Sequence, residues 1–303
     1  MADKLVKLHF KKQSCRAVVL HMDQAWQEII EHHELPKSVR HMLGELSAAA
    51  VMLAASLKFD GALVLQIQGD GPVKLAIVEV RTGLIVRATV QLRVPAETIA
   101  EDADFKSLVN ANGNGRCALI LDMASRRPGE HPYQGVVPLT GNTVAETIES
   151  YMTQSEQVRT GLWLAADDKA AGGVLLQHVA TTGGKAVEDV DPEGFDHLSV
   201  LAKTVKNEEI LGLDAEEVAR RLFWEDNPAV LEELTPKFAC RCSIEGIKAM
   251  VKSLGEQEAN EIVAEKGRIE VRCEFCGKTY TLDPIDVKML FANNNQARSK
   301  TIN

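Results

Sequence analysis

Two short cysteine pairs, Cys240-Arg241-Cys242 and Cys273-Glu274-Phe275-Cys276, constrain this chain more than any other feature. They hold four of its six cysteines, with thirty residues between the pairs. Four thiols in two tight pairs match the tetrahedral preference and the softness of Zn²⁺. If both pairs meet at one ion, distant segments are forced together, and the ion supplies folding free energy where apolar material is scarce. Gly277 lets the backbone bend around a metal; Ile269–Arg272 reads as the strand entering that knuckle and Thr279–Leu282 as the strand leaving it. Between the pairs, Ser243 reads as the cap of a helix ending near Leu254, and Glu256–Glu265 as a second helix. The expected ligands are Cys240, Cys242, Cys273 and Cys276, holding one zinc ion per chain. A four-cysteine site has no open coordination position, which argues against hydrolytic catalysis. Its thiolates remain oxidisable, and once oxidised they no longer ligate, so such a site can turn oxidation into local unfolding. Spacing alone gives a switch only weak support over a plain structural zinc module.

Cys15 and Cys117 stand alone among apolar neighbours and read as small buried hydrophobes. The 303 residues are 45% hydrophobic and 25% charged, enough to build a core without disulfides. Residues 1–180 read as one α+β unit. Leu63–Gln68 and Val73–Val80 are β-rich runs joined by the turn Gly69-Asp70-Gly71-Pro72. Leu84–Leu92 continues the meander, and Cys117–Asp122 and Val136–Leu139 are further strands. Helices are expected at Met22–His33, Ser38–Leu57 and Val144–Gln157, the last capped by Thr143 with Glu146 three residues on. The apolar stretch Ala48–Leu57 is too short to span a bilayer and reads as a buried helix. Strands in a run with helices around them favour α+β over a doubly wound sheet.

The net charge is −9, and residues 181–236 account for all of it, with fourteen Asp/Glu against five Lys/Arg. That segment still reads as helical over Leu198–Leu211, Ala215–Trp224 and Pro228–Leu234, with Asp214 and Glu217 forming a capping box. It is expected to be a helical linker of marginal, charge-strained stability, punctuated by Leu211, Leu213, Leu222, Phe223, Trp224, Val230 and Leu231. The expected organisation is a β-sheet domain with packed helices over 1–180, the acidic helical linker over 181–236, a small four-cysteine zinc-binding domain over 237–291, and a polar tail over 292–303.

An acidic chain is not suited to nucleic acid or anionic membranes. A zinc-knuckle nucleic-acid-binding protein is a weaker reading: residues 237–282 carry eight Lys/Arg against seven Glu, and offer only Phe238, Phe275 and Tyr280 for stacking. A dithiol oxidoreductase is the other alternative, but the C-x-x-C pair does not open a helix after a strand. No nucleophile–base constellation stands out, no phosphate loop occurs, and no enzyme is expected. Met1-Ala2-Asp3-Lys4-Leu5 carries no signal-peptide apolar run, so the reading is a cytoplasmic protein with reduced cysteines.

The C-x-C and C-x-x-C pairs after an acidic segment resemble the C-terminal signature of the bacterial redox-regulated chaperones of the heat-shock protein 33 family. Three further blocks carry the resemblance: Gly69-Asp70-Gly71-Pro72, Pro132-Tyr133-Gln134-Gly135-Val136-Val137, and Tyr151-Met152-Thr153-Gln154-Ser155-Glu156-Gln157. The resemblance covers nearly the whole chain. It implies an ATP-independent holdase, inactive while reduced and zinc-bound. It implies that oxidants release the zinc, that disulfides form as Cys240–Cys242 and Cys273–Cys276, and that the linker then unfolds. The exposed surface would bind unfolded or oxidatively damaged client proteins. The active form would be a homodimer that passes clients to ATP-dependent refolding chaperones.

Overall fold

The computed structural model of the chain describes residues 1–57, 59–127, 129–179 and 191–298. The change of composition expected to begin at Thr181 lies outside the described residues. The chain divides into two compact units, Met1–Ala239 and Cys240–Asn303.

The first unit opens with β1 (Lys4–Phe10), β2 (Cys15–Met22), α1 (Gln24–Ile30) and α2 (Lys37–Ser56). The meander follows: β3 (Gly61–Gln68), β4 (Val73–Arg81), β5 (Ile85–Leu92), α3 (Phe105–Val109), β6 (Arg116–Met123) and β7 (Tyr133–Pro138). Then come α4 (Val144–Gln154), β8 (Thr160–Ala166), β9 (Ala171–His178), α5 (Gly194–Ala202), α6 (Asn207–Gly212), α7 (Ala215–Phe223), β10 (Ala229–Leu234) and β11 (Lys237–Phe238). One sheet runs β10-β1-β2-β9-β8 and a second runs β11-β5-β4-β3-β6-β7. Every pairing is antiparallel except that of β11 with β5.

The two sheets meet through α2, which touches strands of both. Its run Ser47-Ala48-Ala49-Ala50-Val51-Met52-Leu53-Ala54-Ala55-Ser56 is buried throughout. Alanines let backbone approach backbone, and the two serines stay satisfied by returning their hydroxyls to carbonyls one turn back, Leu43 at 2.7 Å and Met52 at 2.9 Å. The expected buried helix is therefore the central layer of the fold. Gly44 permits the same closeness, since a Cβ there would lie 2.4 Å from the Ala166 Cβ.

The first sheet is buried on both faces. Leu20 and Met22 point to the α2 side, whereas Ala17 and Val19 join Val6, Leu8, Phe10, Val174 and Leu176 on the other. That outer face is covered by the acidic segment through Phe195, Leu198, Ala202, Ala215, Val218, Leu222 and Phe223. Burying this many apolar side chains stabilises at roughly 25 cal/mol per Å². Its acids also find partners on the sheet. Lys4 pairs with both Glu216 and Glu233, Lys7 reaches Glu232 at 2.7 Å, and Arg159 reaches Asp196 at 2.5 Å. Such exposed pairs are screened by solvent and contribute little, so the apolar face dominates.

Several expectations are corrected. Pro228–Leu234 is not a helix. Asn227 takes a left-handed φ of 46°, Pro228 follows, and the remaining stretch is too short to nucleate a helix. It pairs instead as β10, with Leu234 opposite Leu5 and Ala229 opposite His9. Leu198–Leu211 is two helices, α5 and α6. Asp214 makes no side-chain cap, and Glu217 accepts from Arg220 and Arg221 instead. Thr143 does cap α4, accepting the Glu146 N–H at 3.1 Å. No described helix is long and apolar enough to cross a membrane.

The second unit contains α8 (Ile244–Leu254), α9 (Glu256–Lys266), β12 (Ile269–Arg272), β13 (Thr279–Leu282) and α10 (Pro284–Arg298). The polar tail thus continues a helix through Arg298. Its buried core is small: Val251, Ala259, Ile269, Leu282, Val287 and Phe291.

Candidate metal centre

β12 and β13 form a hairpin in which Arg272 lies opposite Thr279. The connection closes through Cys273 N–H to Lys278 O and Gly277 N–H to Cys273 O, both at 2.9 Å. Gly277 sits at φ 65°, where a side chain would be strained, so a glycine here turns the chain back and leaves Cys273 and Cys276 on one side of the knuckle. The first pair precedes α8. Ser243 caps that helix by accepting the Gly246 N–H at 3.1 Å, which fixes the direction in which Cys242 leaves it.

The structure brings the sulfurs of Cys240, Cys242, Cys273 and Cys276 within 4.8 Å of one another. Cys240 and Cys273 lie 3.6 Å apart, and Cys242 and Cys276 lie 3.4 Å apart. Tetrahedral zinc with bonds of about 2.3 Å needs sulfurs about 3.8 Å apart. The donor set is soft, four in number and near that spacing, so the group fits a metal ion of this kind. Among the described residues no other group of three or more His, Cys, Asp or Glu converges in this way.

Burial pushes the Cys276 thiol up to about 12, and the sulfurs of Cys242, Cys240 and Cys273 push the same way. Burial also raises Cys273. It acts on Cys240 too, yet the Cys242 N–H and the neighbouring thiols outweigh it and hold Cys240 down at about 7. Crowded thiols give up protons one at a time, and a divalent cation is what lets four ionise together.

In the sequence Tyr280 stood out as an aromatic of the leaving strand and as a candidate for stacking, not as a partner of the cysteines. In the structure its hydroxyl donates to Cys242, with the carbonyl oxygen at 3.0 Å and Sγ at 3.2 Å. That bond raises the phenol to about 12 and keeps it a donor. The Lys278 ammonium stands 5.1 Å from the Tyr280 ring centroid. Cys15 and Cys117 are not members of the group and are fully buried, and burial pushes their thiols up to about 11 and about 12. A buried thiol held protonated in this way is a poor nucleophile.

The family model described as Hsp33 protein matches residues 3–283. The 33 kDa chaperonin of Methylobacillus flagellatus is 39% identical over 292 residues, covering 96% of this chain and 95% of the relative. That of Chromobacterium violaceum is 38% identical over 289 residues, covering 95% and 94%. The crystal structure of the 33 kDa chaperonin (heat shock protein 33 homolog) of Thermotoga maritima superposes with a TM-score of 0.80 at 21% identity, over 98% of this chain and all of that one. This last likeness shows the shared α+β fold. With the family match spanning nearly the full sequence and the four sulfurs gathered, the chain belongs to the Hsp33 family.

Proposed function

We propose that the protein is a redox-regulated, ATP-independent chaperone that binds unfolding proteins when its four clustered cysteines are oxidised. The observation that carries this reading is the convergence of Cys240, Cys242, Cys273 and Cys276 within 4.8 Å. Family membership and the relatives' name, 33 kDa chaperonin, support the chaperone part.

In this reading the four cysteines hold one zinc ion per chain. Zinc, when bound, supplies folding free energy on the order of 10 kcal/mol, which matters in a unit with so small a core. Oxidation converts the sulfurs into the disulfides Cys240–Cys242 and Cys273–Cys276, which do not ligate. The unit of residues 237–291 then loosens, and with it the acidic segment of residues 181–236 that leads into Cys240. Release of that segment uncovers the apolar face of the first sheet, around Val6, Leu8, Phe10 and Val174, and frees Leu222 and Phe223. These surfaces are where clients bind. The oxidised form is a homodimer, acts in the cytoplasm, catalyses no reaction and hands clients to ATP-dependent refolding chaperones.

The test is a paired assay before and after peroxide under mild heating. Zinc release is followed with a chromogenic chelator, and suppression of client aggregation is followed without ATP. Joint appearance of both, reversed by a dithiol, is the expected result. Zinc loss without client protection would reduce the site to a structural one and defeat the proposal.

A further inference from the structure

We propose that β10 fills, in the closed chain, the seat of a client: once the acidic segment is released, the edge of β1 takes up an extended apolar segment of an unfolding protein as a new antiparallel strand. This rests on the reading of the protein as a chaperone released by oxidation.

β1 pairs on one side with β2, and its other edge is closed by β10, which belongs to the acidic segment. Burial does not hold β10 there. Five of its six residues are exposed and Leu234 is half-buried. What attaches it is the backbone ladder, with Leu5 opposite Leu234, Val6 opposite Glu233, Lys7 opposite Glu232, Leu8 opposite Val230 and His9 opposite Ala229. A ladder of N–H and C=O groups reads backbone rather than sequence, so an edge closed in this way accepts another extended segment once it is vacated. Pro228 and Pro236 bracket β10 and keep its own pairing short. β11 closes β5 in the same manner but over two residues, so β1 is the longer seat.

Side chains set the register. Alternate residues of a strand share a face, so Glu232 and Leu234 lie on the face of Lys7 and Leu5. The Lys7 ammonium meets Glu232 at 2.7 Å, and Leu234 packs against the core around α2. A cavity of about 280 Å³ lies beside them, lined by Lys7, Ala54, Phe59, Leu84, Glu232 and Leu234 among others. The seat therefore fits an extended segment with an aliphatic residue where Leu234 stands and an acid two residues before it. Lys4, which pairs with Glu216 and Glu233, sets a second cation at the same edge. The exposed acids of β10 in turn discourage further copies of the chain from pairing with its own outer edge.

The test uses the full oxidised chain and a fluorescein-labelled peptide copying residues 228–236, followed by anisotropy. The peptide should bind the oxidised chain, bind the reduced chain far more weakly, and compete with client in the aggregation assay. Two backbone-methylated versions separate strand addition from apolar adhesion. Alternate N–H groups of a strand point to opposite edges, so methyl groups on one alternate set of nitrogens should block the ladder and those on the other set should not. The blocking set should lower affinity by about tenfold or more, the order expected for losing two or more hydrogen bonds. Equal affinities for the two versions overturn the proposal, and so does equally tight binding to the reduced chain. Glu232→Lys in the peptide should weaken binding by about two- to fivefold, and Lys7→Glu in the chain should restore it. No change of preference in that charge swap overturns the assignment to β1. If the peptide dissociates an oxidised dimer in sedimentation without displacing client, the edge belongs to a second copy and the client assignment falls. A chain that protects clients yet ignores the peptide overturns the proposal and leaves the chaperone reading standing; a chain that fails to protect clients after oxidation defeats that reading instead.

Discussion

The Tyr133 hydroxyl donates to Oε1 of Glu156 at 2.9 Å, and the Tyr151 hydroxyl donates to the same oxygen at 3.1 Å. Two sequence blocks, Pro132–Val137 and Tyr151–Gln157, are thereby tied at one carboxylate. Burial, followed by the tyrosine and carboxylate neighbours, pushes the Tyr151 phenol above its ordinary range, so it stays a donor. Gly135 makes room for the network, because a Cβ there would lie 2.1 Å from the Tyr151 hydroxyl. Glu156→Gln keeps the shape and weakens two charge-assisted bonds. It should cost about 1–2 kcal/mol in denaturant unfolding. Gly135→Ala should cost more than Glu156→Gln because it displaces Tyr151. The reverse ranking would show that the carboxylate, and not the close approach, holds β7 to α4.

The parts that the sequence made legible are those with local signals. The turn at Gly69–Pro72 does join β3 to β4, and the cysteine spacing marked the four sulfurs that meet. β1, β2, β8 and β9 carried no such signal. Their sheet is covered on both faces, so Arg16–Met22 shows no polar alternation. β9 even contains Gly172 and Gly173, poor strand formers on propensity, because a Cβ at either would lie 2.4 Å from a neighbouring carbonyl, that of Leu20 or that of Trp163. β10 was misread because its partners, Leu5 and His9, lie more than two hundred residues away. The contact of Tyr280 with Cys242 likewise depends on the tertiary meeting of two distant segments.

Glu45 on α2 makes stability pH-dependent. Burial pushes its carboxyl from 4.5 up to about 7. The folded state therefore holds the proton more tightly than the unfolded chain. The stabilisation from this group is complete below pH 4.5 and is lost as pH rises through about 7. Glu45→Gln removes this loss. Its unfolding free energy in denaturant should exceed that of the wild type at pH 8, by at most about 3 kcal/mol, with the difference shrinking towards pH 5. Parallel pH profiles for the two proteins would refute the assignment.

Removal of metal should act locally at first. Among its described residues the second unit packs a core cluster of six buried side chains, whereas Val19 and Val174 lie in a sheet packed on both faces. Chelation of the reduced protein should abolish amide-exchange protection in β12, β13 and α8 while β2 and β9 stay protected. Cys240→Ser with Cys273→Ser should give the same pattern without chelator. Full protection of β12 and β13 in that double variant would remove the four cysteines as the source of the unit's stability.

Two close sulfur separations run across the pairs, 3.6 Å for Cys240 with Cys273 and 3.4 Å for Cys242 with Cys276. The proposed disulfides run within the pairs. The two pairings differ in consequence: crosswise bonds would lock the closed knuckle, and bonds within pairs leave it free to open. Once the unit loosens, near neighbours in the chain meet at a smaller loop-closure cost. Peptide mapping after peroxide should therefore find Cys240–Cys242 and Cys273–Cys276. Recovery of a Cys240–Cys273 peptide as the main product would mean that oxidation traps the folded unit.

Phe223 gives the most direct test of where clients bind. Its ring packs edge-on against Phe10, with centroids 5.2 Å apart and planes at 74°, and it is 1% exposed. It anchors α7 to the apolar outer face of the first sheet. Phe223→Ala should cost about 3–5 kcal/mol locally. The exposed pairs of Glu216 with Lys4 and Glu217 with Arg220 are too weak to replace it. α7 should then open in the reduced chain while zinc stays bound, and client aggregation should be suppressed without any oxidant. Trp224→Ala is the control, since that side chain is 66% exposed and its loss should leave the reduced protein inactive. If amide exchange shows α7 open in Phe223→Ala and clients still aggregate, the face around Val6, Leu8 and Phe10 is not the client surface, and the binding site must be sought elsewhere in the chain.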